Sequence, residues 1–249
     1  MSKYVIQFSK TGIICFTSHL DLMRIFKRAF KRAGIPLAYS QGFNPHPKMG
    51  FAQPLSLGYW GMAEYIEFEV QEDALPNELM VRLAEGLPEG IELVECLQAD
   101  RLKKTLSSHT VAAEYMIQLP LEREGGATAS EGGAGVDLRD PRAMWHAYMD
   151  RPRITAKKRQ KKKKELKTVD IKPMIREITF MPAESDGQRG RVLYINAVLD
   201  SGSASNLSPE LIVSSVTECF GIAVDRSAVS IMRKGITFDK PLKQLLEGR

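Results

Sequence analysis

TSHLDLMRIFKRAFKRAGIPLAYSQGFNPHPKMGFAQPLSLG, residues 17–58, sets the pattern for the chain: a basic amphipathic helix runs into a loop punctuated by Gly and Pro and bracketed by two strands. Thr17 or Ser18 caps the helix, Asp21 favours the positive end of its dipole, and Gly34 with Pro36 closes it. Leu20, Met23, Phe26, Phe30 and Ala33 recur at helical spacing as an apolar stripe, while Arg24, Lys27, Arg28, Lys31 and Arg32 occupy the rest. One side of this helix therefore packs and the other carries positive charge.

In the loop, Gly42, Pro45, Pro47, Gly50, Pro54 and Gly58 recur too often for a helix or a central strand, yet Phe43, Phe51, Leu55 and Leu57 argue that it is ordered. A glycine-containing loop brings backbone N–H groups close to an anion, which makes Gly42, His46 and Lys48 candidate contacts beside the basic helix. The alternative is a long packed connection.

Working outward, residues 3–9 read as a strand before the helix, 35–40 and 48–52 as pieces of one interrupted strand, and EYIEFEV (64–70) as a half-buried strand. A helix opened by Pro76 and a strand over 90–97 complete the order β-α-β-β-α-β, the ferredoxin-like motif. The order then recurs: a strand over 109–119, a short helix over 140–149, strands over 168–180 and 191–199, a helix opened by Ser208 and Pro209, and a strand over 227–238. The expected fold is α+β with two ferredoxin-like halves, 1–100 and 105–240. Residues 120–137 form a Gly/Ala/Glu-rich insertion in the second half and 151–167 a Lys-rich segment. One continuous α+β sheet is the alternative architecture.

At 43% apolar and 26% charged residues over 249 positions, the composition is that of an ordinary soluble domain or pair of domains. No apolar run is long enough to cross a bilayer and MSKYVIQFSK reads as a strand, so the expectation is a cytoplasmic protein without a membrane partner. Cys15, Cys96 and Cys219 are far apart and no Cys/His pair has ligand spacing, which predicts buried free thiols, no metal site and no cofactor in this chain. The net charge is +5, but Arg151–Lys167 alone carries +9, leaving −4 for the rest. Basic patches on an acidic-leaning chain point to polyanions.

The stretch 17–58, together with EYIEFEV, VDIKPMI and SGSASNLSPELIV, resembles a bacterial family, the radical-SAM-linked proteins, which look like free-standing versions of a domain also fused behind radical SAM modules. The resemblance implies a radical SAM protein as partner and a role in RNA or ribosome biology, with tRNA or rRNA as the nucleic acid. The chain lacks CxxxCxxC, so the iron–sulfur cluster and S-adenosylmethionine are expected only in the partner. By fold-level analogy, paired ferredoxin-like halves with a basic helix and a Gly-rich loop also look distantly like RAMP-type CRISPR RNA-processing proteins.

The candidate nucleic-acid contacts are Arg24, Lys27, Arg28, Lys31 and Arg32 on the helix, Gly42, His46 and Lys48 in the loop, and Lys157, Lys158, Arg159, Lys161, Lys162, Lys163 and Lys164 in the Lys-rich segment. A dense Lys run gives sequence-independent phosphate affinity; its plain alternative is a solvated hairpin tip. Tyr39 and Trp60 are candidate stacking faces for unpaired bases, whereas Phe43 and Phe51 read as core. His46, between two prolines, is the one catalytic candidate, with Tyr39 or His19 beside it; His19 itself reads as a capping or packing residue. The leading expectation is a non-catalytic RNA-binding and docking module. A metal-independent RNA-processing enzyme and a protein-interaction scaffold are the alternatives.

Overall fold

A computed structural model of the chain describes residues 1–121, 135–159, 166–186 and 190–248. They divide into two compact units: Met1–Ala112 with Gly202–Ala204 and Arg233–Arg249, and Ala113–Ser201 with Ser205–Met232. Among the described residues no helix is long and apolar enough to cross a membrane, a statement that leaves strands aside.

The first unit opens with β1 (Ser2–Lys10), a 3-10 turn (Gly12–Phe16) and α1 (His19–Arg32), followed by β2 (Met49–Phe51) and β3 (Trp60–Val70). It continues with α2 (Pro76–Ala84), β4 (Ile91–Gln98) and the single-turn α3 (Leu106–His109). The strands lie in the order β4-β1-β3-β2 with every neighbour antiparallel, which is the ferredoxin-like arrangement.

Alternation along β1 sends Tyr4, Ile6 and Phe8 to one face, where Ile66, Phe68 and Val70 of β3 join them. Onto that face pack Leu22, Phe26, Ala29 and Phe30 of α1 and Leu79 and Leu83 of α2. The helices approach closely at Gly86, where a side chain would press on the Ala29 backbone at 3.1 Å. Beneath the opposite face sits a smaller cluster of Val5, Ala52, Ala99, Leu102 and Leu106 with Leu245 and Leu246 near the C-terminus.

The second unit is built from β5 (Thr110–Pro120), α4 (Pro141–Met149), the hairpin β6 (Thr155–Arg159) and β7 (Leu166–Asp170), and a 3-10 turn (Lys172–Met174). Then come β8 (Ile175–Asp186), β9 (Gly190–Asp200), α5 (Pro209–Phe220) and β10 (Ser230–Phe238), whose residues from Arg233 onward belong, with α6 (Leu242–Glu247), to the first unit. The order β10-β5-β9-β8 repeats the 4-1-3-2 pattern. Met144 and Tyr148 of α4 and Ile212, Val216 and Phe220 of α5 are buried, and the Tyr148 hydroxyl shares a 2.6 Å hydrogen bond with Ser215. The chain is therefore α+β, with two ferredoxin-like βαββαβ arrangements.

Three local expectations are corrected. Residues 35–40 form no strand, only isolated bridges Leu37↔Val70 and Tyr39↔Pro47, because Pro36, Pro45 and Pro47 withhold ladder donors. The stretch 168–180 is broken by Pro173 into the end of β7, a 3-10 turn and the start of β8. Leu20, placed with the apolar stripe of α1, is 66% exposed; the buried phase runs through Leu22, Phe26, Ala29 and Phe30.

Candidate nucleic-acid interface

The geometry begins at the start of α1. Ser18 caps it, its hydroxyl accepting from the Asp21 N–H at 3.2 Å and donating to the Asp21 carboxylate at 2.7 Å, while Arg24 donates to the same carboxylate at 2.8 Å. The Ser18 hydroxyl first, and then Arg24, hold the Asp21 carboxyl below the usual range. At the far end Arg82 donates to the carbonyls of Ala33 (2.8 and 3.1 Å) and Gly34 (2.9 Å), satisfying groups the helix leaves unpaired. Gly34 sits there at φ +63°, a left-handed stop that suits glycine.

Fixed at both ends, α1 turns Arg24, Lys27, Arg28 and Lys31 outward at i, i+3, i+4 and i+7, one continuous positive strip. Arg32 is exposed too, but its guanidinium donates to the Gly86 carbonyl and ties α1 to the turn after α2.

Beside the strip lies an open groove of about 660 Å³. It is lined by Lys27, Arg28 and Lys31, by an apolar floor of Phe30, Ile35, Pro36 and Leu37, and by Tyr39 and Gln71. The floor is held by β3: the Ala38 N–H donates to the Glu69 carbonyl (2.8 Å), the Gln71 N–H to Pro36 (2.9 Å), and Gln71 Nε2 to Leu37 (3.1 Å). Tyr39 stands half-exposed at the rim. Cations, a flat ring and an apolar floor are the parts a nucleotide uses: phosphates meet the first, and a base stacks on the second.

Beyond Tyr39 the chain makes an excursion closed at its base by Ser40, whose N–H donates to the His46 carbonyl (2.8 Å) and whose Oγ accepts from the His46 N–H (3.0 Å). Its tip, Gln41 to Pro45, is exposed, and a side-chain carbon on Gly42, at φ +141°, would meet nothing within 4 Å. Phe43, expected in the core, is fully exposed. Phe51 does pack, against Phe8, Phe26 and the ring of His19. His19 is thus a packing residue, while His46 is exposed and, among the described residues, no hydrogen bond fixes its ring. Lys48 pairs with Glu69 at 2.6 Å, and Trp60 is 39% exposed on β3.

In the second unit Lys157 and Lys158 are exposed on β6, and Arg159 ends that strand. The hairpin is anchored at its root by Asp170, which accepts from the Ile154 and Lys172 N–H groups (3.2 and 3.1 Å), and by buried Ile154, Ala156 and Ile171. Lys158 lies directly opposite Lys167. Like charges facing each other across strands repel, so the hairpin carries its charge at a cost to itself. Lys161, Lys162, Lys163 and Lys164 lie outside the described residues.

Sequence reasoning did not find the groove. Its floor comes from a segment that reads as strand, and Gln71 belongs to no motif. Among the described residues no cluster of three or more His, Cys, Asp or Glu gathers to hold a metal ion, and the three cysteines are buried and free.

Two solved structures resemble the chain at low similarity. One is a chain of a Cbf5-Nop10-Gar1 complex, with 11% identity and a TM-score of 0.46 over 94% of this chain. Another is an unknown protein from Galdieria sulphuraria, with 14% identity and a TM-score of 0.24, covering 90% of this chain and 96% of that one. The chain spans about half (48%) of the Cbf5-Nop10-Gar1 chain it matches. No curated protein matches in sequence. Residues 3–209 match the model of a bacterial family described as uncharacterised conserved proteins (DUF2344), and the chain belongs to that family.

Proposed function

We propose that this protein is a non-catalytic RNA-binding and docking module that presents RNA to a separate radical SAM iron–sulfur protein. The observation that carries the reading is the groove, whose lining brings Lys27, Arg28 and Lys31 together with Tyr39 and an apolar floor. An unpaired base stacks on Tyr39 and the adjoining phosphates run along α1, so binding is by charge and stacking rather than by base-edge readout. The hairpin of the second unit adds sequence-independent phosphate attraction through Lys157 and Lys158. The radical SAM partner, and tRNA or rRNA as the nucleic acid, follow from the family resemblance of the 17–58 stretch.

The test is equilibrium binding of a fluorescent single-stranded RNA at several salt concentrations, for the wild type and for Lys27→Glu with Lys31→Glu. Affinity that falls steeply with salt, and falls again in the variant, supports the reading. Equal affinity of the two proteins at low salt defeats it. Co-purification of a brown iron–sulfur protein with nucleic acid supports the docking half; the same partner arriving without nucleic acid selects a scaffold role instead.

An enzymatic reading has one supporting observation, the placing of Tyr39 and His46 on the two sides of one loop base. Metal-free RNA cleavage abolished by His46→Ala would select it.

A further inference from the structure

Just before α1 the first unit exposes large apolar side chains on backbone that is unusually well held. Ile13 is 88% exposed, Phe16 68%, Leu20 66% and Leu57 60%. Ile13 and Phe16 lie three apart in a 3-10 turn, whose three-residue period stacks them on one side. Leu20 follows four residues later in the first turn of α1, and Leu57 is brought alongside by the Gly58 N–H, which donates to the Cys15 carbonyl at 2.9 Å. A side-chain carbon on Gly58 would touch the Phe16 ring at 4.0 Å.

Two buried cations fix these segments. Lys10, 1% exposed, donates its ammonium to the carbonyls of Cys15 (3.0 Å) and Thr17 (3.1 Å). Arg233, also 1% exposed, donates to the carbonyls of Gln53 (2.9 Å) and Pro54 (3.2 Å), at the start of the segment that carries Leu57. Burying a charge is costly, and here Lys10, together with the Arg233 guanidinium that also pairs with Glu64, holds segments that leave Ile13, Phe16 and Leu57 in water while Ile14, Cys15 and Leu55 are buried. Such a surface is pre-organised for a partner, since little order is left to impose on it at binding.

The charge pattern says what kind. Leu20, Arg24, Lys27 and Lys31 stand at i, i+4, i+7 and i+11, so the apolar patch continues along one stripe of α1 into exposed cations one and two turns away. We infer that the Ile13/Phe16/Leu20/Leu57 surface docks an amphipathic helical segment of another protein, one with apolar side chains on one face and carboxylates about one to two turns along it. The carboxylates meet Lys27 and Arg24, the latter already holding the Asp21 carboxylate at 2.8 Å, and the apolar side chains cover Phe16 and Leu20. This inference does not rest on the RNA reading: Phe16, Leu20 and Leu57 line no part of the groove, and Lys27 alone is common to the two surfaces.

The experiment is selection of a displayed library of randomised helical peptides on the full-length wild-type protein, followed by affinity measurement of the enriched peptides by fluorescence anisotropy. The inference expects enriched peptides with paired apolar and acidic positions. Phe16→Ser or Leu20→Ser should weaken them at least tenfold and Arg24→Glu severalfold, with RNA affinity unchanged in Phe16→Ser and Leu20→Ser. Ile13→Ser, at the most exposed of the four positions, provides a second variant that leaves folding untouched. The inference is overturned by no enrichment, by enriched peptides without carboxylates, or by enriched peptides indifferent to Phe16 and Leu20. It is equally overturned if the patch drives self-association in sedimentation, or adsorption to vesicles of neutral phosphatidylcholine, abolished in Leu20→Ser.

Discussion

Arg233 and Glu64 form a doubly hydrogen-bonded ion pair sealed inside the first unit, with Nε to Oε1 at 2.8 Å and the second nitrogen on Oε2. Lys10 lies close enough for the Glu64 charge to act on it, making a buried set of two cations and one anion. A pair buried this deeply costs most when only one partner is removed. Glu64→Ala should therefore destabilise the protein by about 3–5 kcal/mol, and Arg233→Met combined with Glu64→Leu should cost less than Glu64→Ala alone. Urea unfolding of the three proteins checks the ranking.

The Lys10 ammonium is pushed below the usual lysine range, mainly by burial. A lysine whose folded pKa lies below its unfolded value releases its proton more readily in the folded protein. Stability from this group therefore rises as pH climbs through its folded pKa toward 10.5 and is reduced at lower pH, where the buried charge must be kept. Lys10→Met should remove that alkaline rise. It should also loosen the 12–18 segment, read as faster amide exchange at Thr17.

Tyr39→Ala removes the proposed stacking face and should weaken single-stranded RNA by about 1–3 kcal/mol while leaving the salt dependence intact. Lys31→Ala should do the reverse. It lowers the slope of log affinity against log salt by about 0.7 for each phosphate the side chain had neutralised, with a modest change at low salt. A titration series at several salt concentrations separates the two outcomes.

Lys158→Glu turns a repulsive cross-strand pair with Lys167 into an attractive one, so it should stabilise the hairpin by about 0.2–1 kcal/mol. The same change should weaken RNA binding. Opposite signs for stability and binding in one variant are the outcome to look for, by thermal unfolding and anisotropy.

Burial pushes the Cys96 thiol up to about 12, so at neutral pH it is a thiol rather than a nucleophilic thiolate. Thiol-reactive dye should label Cys96 only after denaturation, which mass spectrometry of the labelled peptides resolves.

Much of the fold was legible because both β-α-β-β-α-β orders are written in local signals. Pro76, Ser208 and Pro209 open helices where expected, and Gly221 ends one at φ +61°. Periodicity also found the basic side of α1, but it could not tell Leu20 from Leu22, since either continues an apolar stripe to Phe26 and only the neighbouring strand decides which one is covered. The buried ion pair was invisible: Glu64 sits in an alternating strand that reads as half-solvated, and its partner lies 169 residues away. The groove escaped for a similar reason. Its floor is an irregular segment held to β3 by backbone hydrogen bonds, and such bonds leave no mark in side-chain patterning.

The separation of Glu64 from Arg233 bears on how the chain is made. A ribosome adding roughly 5–20 residues each second delivers the carboxylate about 10–30 s before the guanidinium that neutralises it. Through that interval Glu64 has the Lys10 charge nearby but lacks its doubly hydrogen-bonded partner, so the N-terminal segment should stay open to chaperones until translation reaches β10.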